Sequence, residues 1–338
     1  MTKFKNKLIL SLSLALLVVG IFFILKNNSW EIDGGEKEDE TQENISPLSG
    51  LSCDNYQRRP LAVVLANDPV TRPLTGLSEA DMVIEMPVIT NSITRIIAIF
   101  QCYDSDEIGS LRSARHDFIY LTMGLDAIMA HWGGSHFALD LLNNGVMDNI
   151  DALKNPYNSF YRKNSIPQPH NGFTSISRLI SAAEKLGYRT ENKFEGYDFS
   201  QKDQNQIDQG KVLKIDYSYP YNVSYQYDPE INSYLRYRTN LKEIDKGNGK
   251  QIQAKNIVLM ESFSKQIQGP DYNDLDLEGT GDCQIYQNGI VLNCTWQKSE
   301  KNPTSKLKFL NENGQEISFV PGQTWIEIIE PSQEISWE

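Results

Sequence analysis

All four histidines of this chain, His116, His131, His136 and His170, fall within a stretch of 55 residues. Imidazole titrates closest to neutral pH of all side chains, so its concentration marks a place for proton transfer or ligand binding. The same stretch is poor in acid. From Ile108 to Ala183 there is no glutamate, and Arg112, Arg115, Lys154, Arg162, Lys163 and Arg178 face five aspartates. On a chain of net charge −12 this is a locally non-acidic island that an anion could approach.

Three segments of the island have a physical reason to bind. Gly109-Ser110-Leu111-Arg112-Ser113-Ala114-Arg115 follows an expected strand and opens an expected helix with Ser113 as its N-cap. Arg112 and Arg115 then set fork-shaped donors beside the positive end of that helix. His131-Trp132-Gly133-Gly134-Ser135 is a second turn between a strand and a helix, where paired glycines let amides approach a ligand closely. The third segment, Tyr161 to Asn171, is a proline-punctuated loop carrying Arg162, His170 and Asn171, a composition suited to a lid. Arg95 begins a strand and serves either as an ion-pair partner or as a further wall of the crevice. If the strands before the two turns are parallel neighbours, the turns share one crevice beyond the strand ends. The expected ligand-binding set is therefore Arg95, Arg112, Arg115, His131, Gly133, Gly134, Ser135, Arg162, His170 and Asn171.

Covalent and metal chemistry find less support. Gly-Gly-Ser-His around Ser135 lacks the Gly-x-Ser-x-Gly elbow of serine hydrolases. His131 and His136 are five apart, which does not align them on one helix face, and there is no Cys-x-x-Cys, so no metal site is expected. Without a Walker loop, dinucleotide fingerprint or HExxH motif no cofactor is expected, and no catalytic residue is assigned.

The elements that must position these residues follow from apolar patterning. Leu61–Leu65, Met82–Met86, Ile96–Phe100 and Ala127–Ala130 suit buried strands, and Ser113–Met123, His136–Asn143 and Ser175–Leu186 suit helices, the last ending at Gly187. Strands alternating with helices predict an α/β domain over 47–197. From about Asp198 the pattern changes to tyrosine-rich alternation, with strands expected at Asn256–Met260, Lys306–Leu310 and Trp325–Ile329. A smaller, mostly-β domain is expected over 198–338.

The amino terminus indicates location. Leu8 to Leu25 is a run of 18 uncharged residues between Lys3, Lys5 and Lys7 on one side and Lys26 on the other. It predicts a transmembrane helix within 1–26 with the rest of the chain outside the cell, since no small-x-small cleavage site follows. The four lysines of 1–26, with no acid among them, leave −16 on the remainder. Residues 27–46 read as an acidic tether, and no nucleic-acid partner is expected for so acidic a chain.

Four cysteines in an exported chain of 338 residues allow two disulfides. Cys283 and Cys294 are equidistant from Asn288-Gly289, the strongest short hairpin signal, so they face each other across the ladder. Cys53 and Cys102 pair by elimination, the alternative being two reduced, buried thiols.

Arg59-Pro60-Leu61-Ala62-Val63, Pro73-Leu74-Thr75-Gly76-Leu77-Ser78-Glu79-Ala80-Asp81, Thr94-Arg95, Ser110 to Arg115, His131 to Ser135 and Pro169-His170-Asn171 together resemble the YerB-like family of bacterial envelope lipoproteins. Tyr234-Leu235-Arg236, Ala254 to Val258 and Pro321 to Trp325 resemble that family's C-terminal domain. The resemblance spans nearly all of 47–338 and implies a two-domain envelope protein, but no reaction. The chain departs from the pattern by having no lipobox cysteine, its first cysteine being Cys53, and by carrying Val88-Ile89-Thr90-Asn91-Ser92 where an acidic, glycine-rich stretch is usual. The arginine turn and the His-x-Gly-Gly turn are also similar to those of LytR-CpsA-Psr enzymes, a likeness that carries no catalytic residue across. The resulting expectation is an envelope protein that binds an anionic ligand, such as a phosphate-bearing lipid or wall glycan. A scaffold for other envelope proteins and a transferase or hydrolase acting on wall precursors are the competing classes.

Overall fold

The computed structural model describes residues 44–90, 92–200, 211–269 and 271–338. Its backbone is a ten-stranded mixed sheet to which each half of the sequence contributes five strands. From edge to edge the order is Lys308–Leu310, Ile290–Lys298, Gly279–Gln287, Asn256–Glu261, Thr324–Ile329, Met82–Pro87, Thr94–Phe100, Leu61–Leu65, Ile128–His131 and Asn149–Asp151. The halves join where Thr324–Ile329 runs parallel to both Asn256–Glu261 and Met82–Pro87, with Thr324 opposite Asn256 on one side and Met82 on the other. Every residue of Thr324–Ile329 and Met82–Pro87 is buried, as strands covered on both faces must be.

What covers the sheet corrects the expected class. Among the described residues the fold is mostly β, with three α-helices, His116–Met123, His136–Asn143 and Ile176–Lys185, which together with short 3-10 turns make up 12%. The alternation of strands and helices suggested an α/β layer structure, but one face of the large sheet is covered chiefly by a second sheet. That sheet has six strands in the order Leu241–Lys242, Ser233–Arg238, Val223–Asp228, Val212–Ile215 and Ile335–Trp337, with Gln253–Ala254 also paired to Ser233–Arg238. Successive strand residues point to opposite faces. Leu61, Val63 and Leu65 thus pack with Tyr225, Tyr227 and Tyr234 and with helix Ile176–Lys185, while Ala62 and Val64 pack with Phe118, Ile119 and Leu142 of the other two helices. The tyrosine alternation reflects this: Tyr225 and Tyr227 are buried and Gln226 between them is exposed.

The expected transmembrane helix lies outside the described residues. Among the described residues no helix is long and apolar enough to cross a membrane.

At the hairpin the local reading holds. Asn288 and Gly289 both have positive φ, 52° and 72°, as a two-residue turn matched to the strand twist needs. Cys283 lies opposite Cys294 in the ladder and is bonded to it, and Cys53 is bonded to Cys102. Because the turn already fixes the register, replacing Cys283 and Cys294 together by serine should cost only about 2 kcal/mol, at the low end for a disulfide. Urea unfolding of the double variant against the wild type measures this, and a loss twice as large would show that the turn alone does not hold the register.

A buried charge network lies between the two sheets. Glu85 of Met82–Pro87 pairs with Arg236 and receives two bonds from Arg238, at 2.7 and 2.8 Å. Arg236 also reaches Glu327 at 3.2 Å and Glu243 at 3.3 Å, and its guanidinium lies 3.8 Å from the centre of the Trp325 ring. Asn67 and Thr94 donate to Glu85, and Tyr217 and Tyr225 donate to Glu327.

Candidate functional site

The carboxyl end of Leu61–Leu65 is where the island is assembled. The amide of Ala66 donates to Ser110 O and that of Arg112 to Val64 O, both at 2.9 Å, so the arginine turn crosses the end of the strand. The turn then continues as extended chain alongside the Gly-Gly turn: Trp132 N–H donates to Arg112 O, Ala114 N–H to Gly133 O, and Ser135 N–H to Ala114 O. Leu111 N–H donates to Gly172 O, which ties in the segment after His170. Three separated stretches of sequence therefore meet through backbone bonds. Two glycines are required by the crowding: a Cβ on Gly109 would stand 2.3 Å from the Phe173 ring, and one on Gly172 2.3 Å from Trp132.

This extended path corrects the expected N-cap. Residues bonded to a neighbouring strand cannot also be helical, so the helix begins at His116 with Arg115 as its cap, φ −124° and ψ 149°, rather than at Ser113.

Arg112 occupies the centre of an arginine group. It approaches Asp68 Oδ2 at 3.4 Å and acts electrostatically on Arg95, Arg115 and His170. Arg95 is 6% exposed; its Nη1 donates to Ser113 O at 3.1 Å, and its Nε is buried without a partner. Burial together with the charges of Arg115 and Arg112 brings the Arg95 pKa down to about 9, against the smaller pull of Asp68. Arg115 donates from Nη1 to Ala114 O, its Nε is also buried and unpartnered, and burial lowers its pKa. His170 is the same in kind. Its Nδ1 is buried without a partner, and desolvation and then Arg112 favour its neutral form. Arg72 stacks over Tyr221 at 5.3 Å, and Tyr221 acts electrostatically on Arg95, which places a second wall beside the group. Asp68 is thus the one carboxylate that ion-pairs with Arg95, Arg112 or Arg115 among the described residues.

The remaining expected residues are placed elsewhere. His131 is fully buried, with Nδ1 2.7 Å from Gly133 O and Nε2 3.1 Å from Asn149 Oδ1, so it holds the turn from inside. The Gly133 amide is already used by Asp151 Oδ1 at 2.9 Å. Gly134 bridges to Ala114, and Ser135 caps the helix His136–Asn143 by accepting from Ala138 N–H. Arg162 is itself exposed, lies over Trp132 at 4.2 Å and donates to the buried Asn171, forming a cluster of its own. The residues brought together are Arg95, Arg112, Arg115 and His170. Asp68, Arg72 and Tyr221 complete the group and were not singled out by sequence. Asp68 lies just beyond the Leu61–Leu65 strand end, which is the signal that could have found it.

The arrangement defines a β-rich protein with a desolvated arginine group, short of acceptors, at the end of a central strand. The chain belongs to the DUF3048 family, whose N-terminal domain, a protein of unknown function, matches 48–189 and whose C-terminal domain matches 213–326. It is 33% identical over 289 residues, 84% of this chain and 86% of the relative, to YerB of Bacillus subtilis (strain 168), a candidate lipoprotein by its name. The crystal structure of the YerB protein from Bacillus subtilis is similar in fold, with a TM-score of 0.77 and 32% identity over 86% of this chain and 99% of that one.

Proposed function

We propose that the protein works in the bacterial cell envelope and binds an anionic, phosphate-type ligand at Arg95, Arg112, Arg115 and His170. The observation that carries the reading is the shortage of acceptors: Arg95 and Arg115 each keep a buried, unpartnered Nε, and a single ion-paired aspartate opposes three guanidiniums. A buried donor without a partner costs about 1–3 kcal/mol, which a bound oxyanion would recover through charge-assisted bonds. The relative's lipoprotein name and the two disulfides support an envelope location.

Inorganic pyrophosphate at low ionic strength is a direct probe. Arg112→Ala combined with Arg115→Ala should weaken its binding at least about tenfold, the worth of one charged hydrogen bond, with an unchanged circular dichroism spectrum. Calorimetry that finds equal affinity in the double variant, or no binding by the wild type, rejects the assignment.

A further inference from the structure

Helix His116–Met123 carries a second polar group on the side facing the hairpin formed by Ser264–Gln268 and Tyr272–Leu275. His116 Nε2 stands 3.1 Å from Asp274 Oδ1 and 3.7 Å from Asp117 Oδ1. One ligand atom from each of the three residues falls within 4.8 Å of the others, at the wall of a cavity of about 420 Å³. Donor atoms at the corners of a zinc tetrahedron stand about 3.3 Å apart, close to both measured separations.

The surroundings favour a cation independently of that spacing. The Asp117 side chain is 2% exposed, and its only cationic partner within ion-pair distance, among the described residues, is the His116 ring. A carboxylate so far removed from water is compensated here by one imidazole and two backbone amides, with no lysine or arginine in ion-pair distance among the described residues. Each carboxylate has one further polar contact. Leu275 N–H bonds Asp117 Oδ1 at 3.0 Å, and Lys265 Nζ lies 3.3 Å from Asp274 Oδ2. The imidazole is packed at 5.6 Å against Phe137, with Nδ1 buried and unpartnered, so Nε2 is the nitrogen presented to the two acids. The Leu275 amide and the Phe137 ring fix the positions of one carboxylate and of the imidazole.

We propose that His116, Asp117 and Asp274 bind one divalent transition-metal ion, with zinc best matched to one nitrogen and two oxygen donors, and that the fourth position opens to the cavity. Three protein ligands with an open fourth position make the site accessible to water or to a ligand atom. Calcium is a poor match, since it takes six to eight oxygens. The proposal does not rest on the arginine group, because it uses different residues and a different probe.

The test is zinc chloride titrated into the full-length chain after EDTA treatment, with cobalt chloride as a spectroscopic substitute. One ion per chain is expected, with the visible absorption of four-coordinate cobalt. Asp274→Asn should bind zinc roughly 10–100-fold more weakly, at least the cost of losing an outer-shell partner. The Asp274 side chain is 34% exposed, so this variant spares the core even where Asp117→Asn fails to fold. His116→Ala should show the same loss, and zinc should raise the melting temperature of the wild type alone. No stoichiometric binding by the wild type, or undiminished binding by the Asp274 and His116 variants, overturns the proposal.

Discussion

Arg236→Met should cost the fold about 3–5 kcal/mol, the expected penalty for breaking a buried ion pair from one side. Arg236 has no exposed surface and pairs with Glu85, Glu243 and Glu327, so its loss leaves Arg238 alone to compensate three carboxylates. Methionine fills much of the volume over Trp325 and isolates the charge effect from a cavity. Glu85 comes from the first half of the sequence and Arg236 and Glu327 from the second, so the destabilisation should appear as one shift of a single urea transition followed by tryptophan fluorescence. Lys214→Met is the contrast: its partner is Glu338, both side chains are more than half exposed, and a change within about 1 kcal/mol is expected. If the Arg236 variant stays within 1 kcal/mol of wild type, the network does not hold the sheets together.

The features visible in the sequence were those set by short-range geometry. Asn288-Gly289 fixed a turn, the turn fixed the register, and the register placed Cys283 against Cys294. The arginine turn and the Gly-Gly turn do meet, but not through the parallel neighbouring strands the expectation required: Ile108–Gly109 pairs with Gly172–Thr174 in a separate three-stranded sheet, and the contact is a backbone ladder rather than two helix N-termini facing a ligand. Features decided by distant pairing were not legible. Thr324–Ile329 and Asn256–Glu261 read as strands, yet nothing local places the former between strands 70 and 240 residues away in sequence order. That insertion brings the second sheet onto the first and makes the fold mostly β.

Burial was the other blind spot. His131 and His116 look equivalent in a list of histidines, but one sits inside a turn with both nitrogens engaged, whereas the other lies beside two aspartates at the wall of a cavity. Asp274 lies 158 residues beyond His116, in a hairpin that sequence reading did not find. Glu85 and Arg236 were overlooked for the same reason: a charged residue in an apolar run is unremarkable until its partner arrives from the other half of the chain.

The same network predicts an unusual dependence of stability on pH. Glu85, Glu243 and Glu327 together carry one more charge than Arg236 and Arg238, and the excess falls on Glu327. Burial pushes its pKa up to about 7, the nearby Glu85 adds to the rise, and Arg236, Tyr225 and Arg238 oppose it. Glu85 is held low instead, because its two arginines outweigh the cost of burial. Glu327 therefore binds its proton more tightly in the folded than in the unfolded chain. Its contribution is complete below the ordinary glutamate pKa of about 4.3 and is lost as pH rises to about 7, a change of about 4 kcal/mol at 1.4 kcal/mol per unit. Glu85 acts oppositely and only at lower pH, where stability falls on acidification. Glu327→Gln retains an oxygen for Tyr217 and Tyr225 but cannot ionise. The variant should match wild type near pH 4.5 and exceed it by about 4 kcal/mol at pH 8, measured as the difference between two urea unfolding series. Taking the difference removes every other titrating group, including Asp117, whose pKa burial raises to about 6. A constant offset across that range would place the missing proton on another member of the network.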